Sequence, residues 1–497
     1  MIHPIDLAIV AASLLAVVAF GLWMGRGQRN VADYLLGNRN LPWWALLVSI
    51  VATETSTVTF LSVPGLAYAG DMTFLQLAIG YLVGKYIVVA LLLPQYFRGQ
   101  LFTAYEVLDR RFGRATRRAA SLLFMVTRTL ADGLRLFLTA IVLKVLLFSE
   151  SPADVAFDSH LALAVVVMGT ATILYTVAGG IKAVVWTDVA QFFIYMLGAL
   201  SAGAVILHRL SYDWPGLVQY ATVHEKLRVF DFSFDLGLAY TFWAGLVGGA
   251  FFSLGSHGAD QLMVQRYLSA RGQSDAARAL RLSGWVVLGQ FALFLLLGVG
   301  LACFYQDRSF ARADEVFPTF IVHELPVGIV GLTLSAVFAA AMSTLSSSLN
   351  SSAAAAVNDF YIPLVRPAAP GHTLWVTRGF TVLFGLLQIT VGIAGQYLAK
   401  SVIDNVMLIA AFTMGIILGL FFLGLASRRA GGRAALLALA AGLAGMTYIA
   451  LFTSLAWPWY AALGSLGTLL VGLAAGRIWP DGSIEGMEKD TDESRAR

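Results

Sequence analysis

Apolar stretches long enough to cross a bilayer recur thirteen times along this chain, and that repetition fixes its class before any single residue is weighed. A crossing helix needs roughly 20 apolar residues. The stretches lie at about 5–24, 42–69, 72–96, 119–148, 159–178, 183–208, 237–256, 282–305, 326–358, 374–396, 402–424, 433–452 and 457–476. Of 497 residues, 58% are hydrophobic and only 12% charged, too few charges to solvate a soluble surface of this length. The expected fold is therefore an all-α membrane protein of about 13 transmembrane helices. The first stretch contains Asp6 and follows no basic run, so it reads as a retained helix and not a cleaved signal. A single cysteine, Cys303, excludes an intrachain disulfide and a cysteine zinc cluster.

Loop charges set the orientation, because basic residues favour cytoplasmic loops. One alternate set of loops holds Arg26, Arg29 and Arg39, then Arg98 to Arg118, Lys182, Arg266 to Arg281, Arg366 and Arg428 to Arg433. The other set holds only Arg209, Lys226, Arg228, Arg308, Arg312 and Lys400, offset by acids such as Glu150 and Asp154. The N-terminus is expected outside and the C-terminus in the cytoplasm of a multi-pass cell-membrane protein. The basic residues belong to this pattern, so no nucleic-acid partner is expected.

The run Ala340-Ala-Met-Ser-Thr-Leu-Ser-Ser-Ser-Leu-Asn350 lies inside one of the apolar stretches. Its Ser343, Ser346 and Ser347 fall at i, i+3 and i+4, on one helix face. Hydroxyl oxygens suit a small hard cation, and small residues also let helices pack closely. The stretch 42–69 carries Thr53, Glu54, Thr55, Ser56, Thr57 and Thr59 before Pro64-Gly65. Hydroxyl side chains compete for backbone hydrogen bonds, so this segment is expected to unwind near the bilayer centre. Unwound backbone at that depth is tolerated only where it lines a cavity or binds something. Asp188 lies about 8 Å inside the cytoplasmic end of its span, at the depth of the serines. It either helps to hold a cation or pairs with Lys182 or a loop arginine. A second interruption is expected near Gly248–Gly258, with Ser253 and Ser256.

Two interrupted helices separated by four intact ones suggest an inverted five-helix repeat. The organisation is then 1–41, an N-terminal helix and loop; 42–208, the first repeat; 209–236, an outer loop; 237–424, the second repeat; 425–476, two further helices; and 477–497, a charged tail expected to be disordered. Arg128, Asp132 and Arg135 lie on one face of the span 119–148. They either clamp an anionic or zwitterionic solute or neutralise one another within the protein. Histidines at 3, 160, 208, 224, 257, 323 and 372 form no metal spacing, which speaks against a membrane-embedded enzyme.

Ala340–Asn350, Gly179–Gln191 with its Trp186-Thr187-Asp188, Ala52–Gly65, Val83-Gly84-Lys85-Tyr86 and Thr103–Gly113 together resemble the sodium/solute symporter family of sodium–glucose, proline, sialic acid and iodide carriers. The resemblance covers nearly the whole chain. It implies a LeuT-like core of two inverted five-helix repeats, with one extra helix before and two after. It implies a primary sodium site at Ala52, Thr55, Ala340, Ser343 and Thr344, and a second at Asp188, Ser343, Ser346 and Ser347. It implies solute contacts at Glu54, Ser56, Thr59, Phe74, Gln76, Ser253 and Ser256, with Arg135 as the arginine of the sialic acid carriers. Thr59 and Ser253 stand where the sugar carriers have Gln and Asn, which argues against a sugar. Sodium-coupled import of a small organic solute, two sodium ions per solute and a monomer in the bilayer are the resulting expectations; proton coupling on the same fold is the alternative, and a channel is the remaining rival.

Overall fold

The computed structural model describes residues 3–26, 28, 30–99, 101–147, 158–210, 214–306, 308–310, 313–365, 370–397 and 402–480. The loop charges Arg29, Glu150, Asp154, Arg312, Arg366 and Lys400 and most of the expected tail, 481–497, lie outside the described residues. Fourteen principal helices run in chain order. They are α1 (Pro4–Met24), α2 (Trp43–Glu54), α3 (Thr57–Ala69), α4 (Leu75–Ile87), α5 (Arg114–Leu147), α6 (Ser159–Arg209) and α7 (Gly249–Gly258). After them come α8 (Gln261–Leu268), α9 (Gln273–Tyr305), α10 (Ile329–Ala355), α11 (Pro370–Ala394), α12 (Val402–Ala426), α13 (Gly432–Phe452) and α14 (Pro458–Ile478). Among the described residues, extended pairing is confined to two isolated bridges, Leu41 with Ala270 and Ala430 with Pro480.

By length and composition, nine helices among the described residues can cross a membrane, or ten if α2 and α3 count as one bent span. Three elements separate this from the thirteen expected. The spans 159–178 and 183–208 join into one 51-residue helix, α6, kinked at Gly180 with φ 53° and ψ −158°. Only glycine enters that region freely, and a Cβ there would meet the Tyr34 carbonyl oxygen at 2.4 Å. Arg128, Asp132 and Arg135 interrupt the apolar character of α5. The span 237–256 is a π turn, Ala244–Gly248, followed by the ten-residue α7.

The first expected interruption is present. Helix α2 ends at Glu54, Thr55 and Ser56 are extended at φ −86°, ψ 96° and φ −89°, ψ 172°, and α3 resumes with an axis bent by 57°. The second lies slightly later than expected. The glycines of 245–258 stay helical, and the chain breaks at Ala259 and Asp260, whose carboxylate caps α8 by accepting from the Leu262 amide at 2.9 Å. Glycine in an apolar helix serves close packing as readily as it breaks the helix.

The serine helix α10 sits at the centre. Every residue from Thr333 to Asp359 is buried. It packs along α6 and against α1, α5 and α11. Lipid tails are as apolar as leucine, so close approach of small residues replaces hydrophobic drive between such helices. A Cβ on Gly198 of α6 would lie 2.8 Å from that of Ala336. The extra helix α1 supplies the missing cap: Asp6 Oδ1 accepts from the Gly328 and Gly331 amides at 2.7 and 2.8 Å. These amides open α10 and have no acceptor within it.

Candidate functional site

Asp188, on the second half of α6, is fully buried and collects hydroxyls from two other helices. Ser49 of α2 donates to Oδ2 at 2.5 Å, Thr53 to the same oxygen at 3.4 Å, and Ser343 of α10 to Oδ1 at 2.7 Å. Ser346 and Ser347 donate to the Ser343 carbonyl at 3.2 and 2.8 Å. While the Ser346 hydroxyl bonds within its own helix, the structure thus brings Asp188, Ser343 and Ser347 together and adds Ser49 and Thr53. Those two stand at i, i+4 on α2, a spacing that shows a shared face.

Arg266 is the larger correction. Its place among cytoplasmic-loop arginines is overturned: it is only 1% exposed, on the buried half-helix α8. Its Nη2 donates to Asp188 Oδ2 at 2.9 Å and to the hydroxyls of Thr53 and Ser347, its Nε to Ser49 Oγ at 2.8 Å, and its Nη1 to the Leu262 carbonyl at 2.7 Å. Of the two readings of Asp188, pairing with an arginine is the arrangement seen. A buried carboxylate left without a partner costs several kcal/mol, about 3–5 when one member of a buried pair is removed.

The expected primary site lies one turn away. Ala52, Thr55, Ala340, Ser343 and Thr344 are all buried. Thr344 Oγ1 donates to the Thr53 carbonyl at 3.3 Å, so α10 touches the broken end of α2 directly. Oxygen donors from an uncoiled backbone and a neighbouring hydroxyl are what a hard monovalent cation prefers. Among the described residues, no group of three or more His, Cys, Asp or Glu could hold a metal ion.

The residues expected to touch solute divide. Glu54, at the break, pairs with Lys85 of α4 at 2.6 Å and lies 3.5 Å from His257 Nε2 of α7. In the sequence Lys85 stands out only as part of the Val83–Tyr86 motif, although a lone lysine and a lone acid in two neighbouring spans signal a pair. Ser56 and Thr59 are buried beside the break. Phe74 packs edge-on against Tyr240 and Phe291, each with ring centroids 5.3 Å away, and Tyr81 stacks on Phe252 at 5.6 Å. Ser253 donates to the Tyr81 carbonyl at 2.9 Å and Ser256 to the Ser253 carbonyl at 3.3 Å. Gln76 is spoken for elsewhere: its amide donates to the carbonyls of Thr73 and Tyr240 and accepts from the Asp231 N–H, all at 3.1 Å. It fastens the loop that carries Asp231. In that loop the Ser233 amide and hydroxyl hold the Asp231 carboxyl below the usual carboxylate range.

On α5 the arginines pair within the protein. Arg135 meets Asp132, and Arg128 meets Asp260. Among the described residues, the buried Nε of Arg135 meets no acceptor, and the buried Asp132 Oδ2 receives no hydrogen bond, Arg128 Nη1 standing 3.9 Å from it. Thr139, whose hydroxyl donates to the Arg135 carbonyl at 2.9 Å, meets Thr57 at the break at 3.1 Å. Arg135 therefore stands one turn from the interrupted helix.

The model of the sodium:solute symporter family matches residues 34–442. The human sodium/iodide cotransporter is 29% identical over 474 residues, 90% of this chain and 70% of that protein. A sodium/sialic acid symporter of Aliivibrio fischeri is 29% identical over 480 residues, 93% of this chain and 90% of its own. Among solved structures, the substrate-bound outward-open state of a Na+-coupled sialic acid symporter superposes with a TM-score of 0.87 at 25% identity, covering 96% of this chain and 99% of that one.

Proposed function

The chain belongs to the sodium:solute symporter family, a family of membrane transporters and not of enzymes, and from that premise we propose that it imports a small organic anion or zwitterion with two sodium ions by alternating access. The observation that carries this reading is the meeting of the break after Glu54 with the hydroxyl face of α10, through Thr344 and the Thr53 carbonyl. One sodium ion is held there by carbonyls of Ala52, Thr55 and Ala340 and hydroxyls of Ser343 and Thr344. The second is held by Asp188, Ser343, Ser346 and Ser347. The chain crosses the membrane thirteen times as two inverted five-helix repeats, with its N-terminus outside.

An anionic group on the solute is held by Arg135. Two observations support this: the Nε donor of Arg135 has no acceptor, and the two relatives above carry iodide and sialic acid, both anions at neutral pH. A guanidinium fork matches a carboxylate better than any other side chain. Ion and solute order the same broken backbone, so each raises the affinity for the other. With two sodium ions and a monoanion, one net positive charge enters per cycle. A tenfold sodium gradient and 100 mV then supply about 5 kcal/mol, enough to concentrate the solute several thousandfold.

Uptake of a carboxylate solute into vesicles is expected to saturate, to depend on sodium with a Hill coefficient near 2, and to stop when choline replaces sodium at fixed pH. Undiminished uptake in choline would overturn sodium coupling. It would favour the second reading, proton coupling, for which Glu54 with its neighbours His257 and Lys85 offers proton-carrying groups.

A further inference from the structure

We propose that Arg266 is a tethered cation that takes the place of sodium on Asp188 and, while it does so, bolts the cytoplasmic half of the broken helix shut. The inference rests on the two-sodium reading above. Arg266 engages two of the groups assigned to the second sodium ion, Asp188 Oδ2 and the Ser347 hydroxyl. The other groups around it are neutral: the hydroxyls of Ser49 and Thr53 and the Leu262 carbonyl. Glu54 already pairs with Lys85, so among the described residues Asp188 is the one carboxylate in ion-pair contact with Arg266. One carboxylate cannot neutralise a guanidinium and a sodium ion at once in a medium of low dielectric. The two cations therefore exchange.

The exchange has a mechanical consequence. Arg266 joins α8 to α2 through Ser49 and Thr53, to α6 through Asp188 and to α10 through Ser347. The flanking chain grips the residues leading into α2. Gln265 donates to the Leu35 carbonyl at 2.8 Å, the Leu41 amide to the Ser269 carbonyl at 3.1 Å, and Arg271 to Asn40 at 3.0 Å. The guanidinium of Arg278 lies 3.8 Å from the centre of the Trp43 ring. Residues 265–278 form a clasp over 35–53, and Arg266 is the only part of it that enters the cation site. With the site empty, the bolt holds the cytoplasmic side closed. Sodium draws Asp188 and Ser347 away from it, so that inward opening follows loading.

The test is a sodium titration of thermal stability on purified wild type and Arg266→Gln, the variant being kept in saturating sodium until dilution. Removing the competitor is expected to lower the sodium concentration for half-maximal stabilisation at least tenfold. Arg266→Lys, whose point charge cannot reach Ser49, Thr53 and Asp188 together, is expected to lower it about threefold. As a second readout, Ser269→Cys in a Cys303→Ala background reports on the clasp. In sodium-free buffer it should react with a cytoplasmic-side maleimide at least fivefold faster when Arg266 is Gln. An unchanged or higher half-point in Gln and Lys, or equal labelling, overturns the inference alone. A wild-type chain without any sodium-dependent shift overturns the sodium reading itself, and this inference with it.

Discussion

At the level of single side chains, the buried charges decide most. Arg135 pairs with Asp132, and among the described residues its buried Nε meets no acceptor. Deleting Arg135 would leave Asp132 with only the more distant Arg128, at 3.9 Å, so the informative change is Arg135→Lys, which keeps the charge and loses the fork. Under the anion reading, the apparent Km for a carboxylate solute should rise roughly tenfold or more, the worth of a charge-assisted hydrogen bond, with sodium-dependent stabilisation unchanged. An unchanged Km would dismiss the clamp. The sequence disclosed Asp188, the serines and Arg135 because their types are costly or unusual inside a membrane. It concealed Arg266 because a basic residue between apolar spans looks like an ordinary cytoplasmic charge. Only the fold of α8, buried along its whole length, shows otherwise.

Among the helices, α10 depends on a neighbour that a repeat-based description treats as accessory. Asp6 of α1 accepts two amides at the N-terminal end of α10, and a Cβ on Gly331 would lie 2.7 Å from the Asp6 backbone. Asp6→Ala leaves the buried Gly331 amide and the part-buried Gly328 amide without this acceptor, at about 1–3 kcal/mol for the buried one and less for the other. A lower Tm in detergent is expected, with the sodium half-point of the folded fraction within twofold of wild type; an unaltered Tm would show that α1 does not cap α10. The break in the first core helix was legible from its hydroxyl run, since Ser and Thr favour exits from a helix. The second was drawn too early because glycine is an ambiguous sign. The surer mark was Asp260, an N-cap residue directly before an apolar run.

For the molecule as a whole, class and family were legible from the spacing of apolar stretches and five motif segments, whereas the partnering of charges between distant helices was not. Coupling belongs to this scale, because the proposed ion sites draw on α2, α6 and α10 while the proposed solute contacts flank the break between α2 and α3. Sodium at 100 times its Kd should stabilise the fold by about 2.7 kcal/mol for each site. Positive coupling requires that solute raise the Tm further in sodium than in choline; equal increments in the two buffers would argue for independent binding. The loop before α7 holds one further handle. Gln76 ties the loop around Asp231 and Tyr240 to the helix beside the aromatic rings. In the orientation proposed above that loop faces the medium, and an antibody fragment that grips it is expected to slow transport in a way that added solute does not relieve.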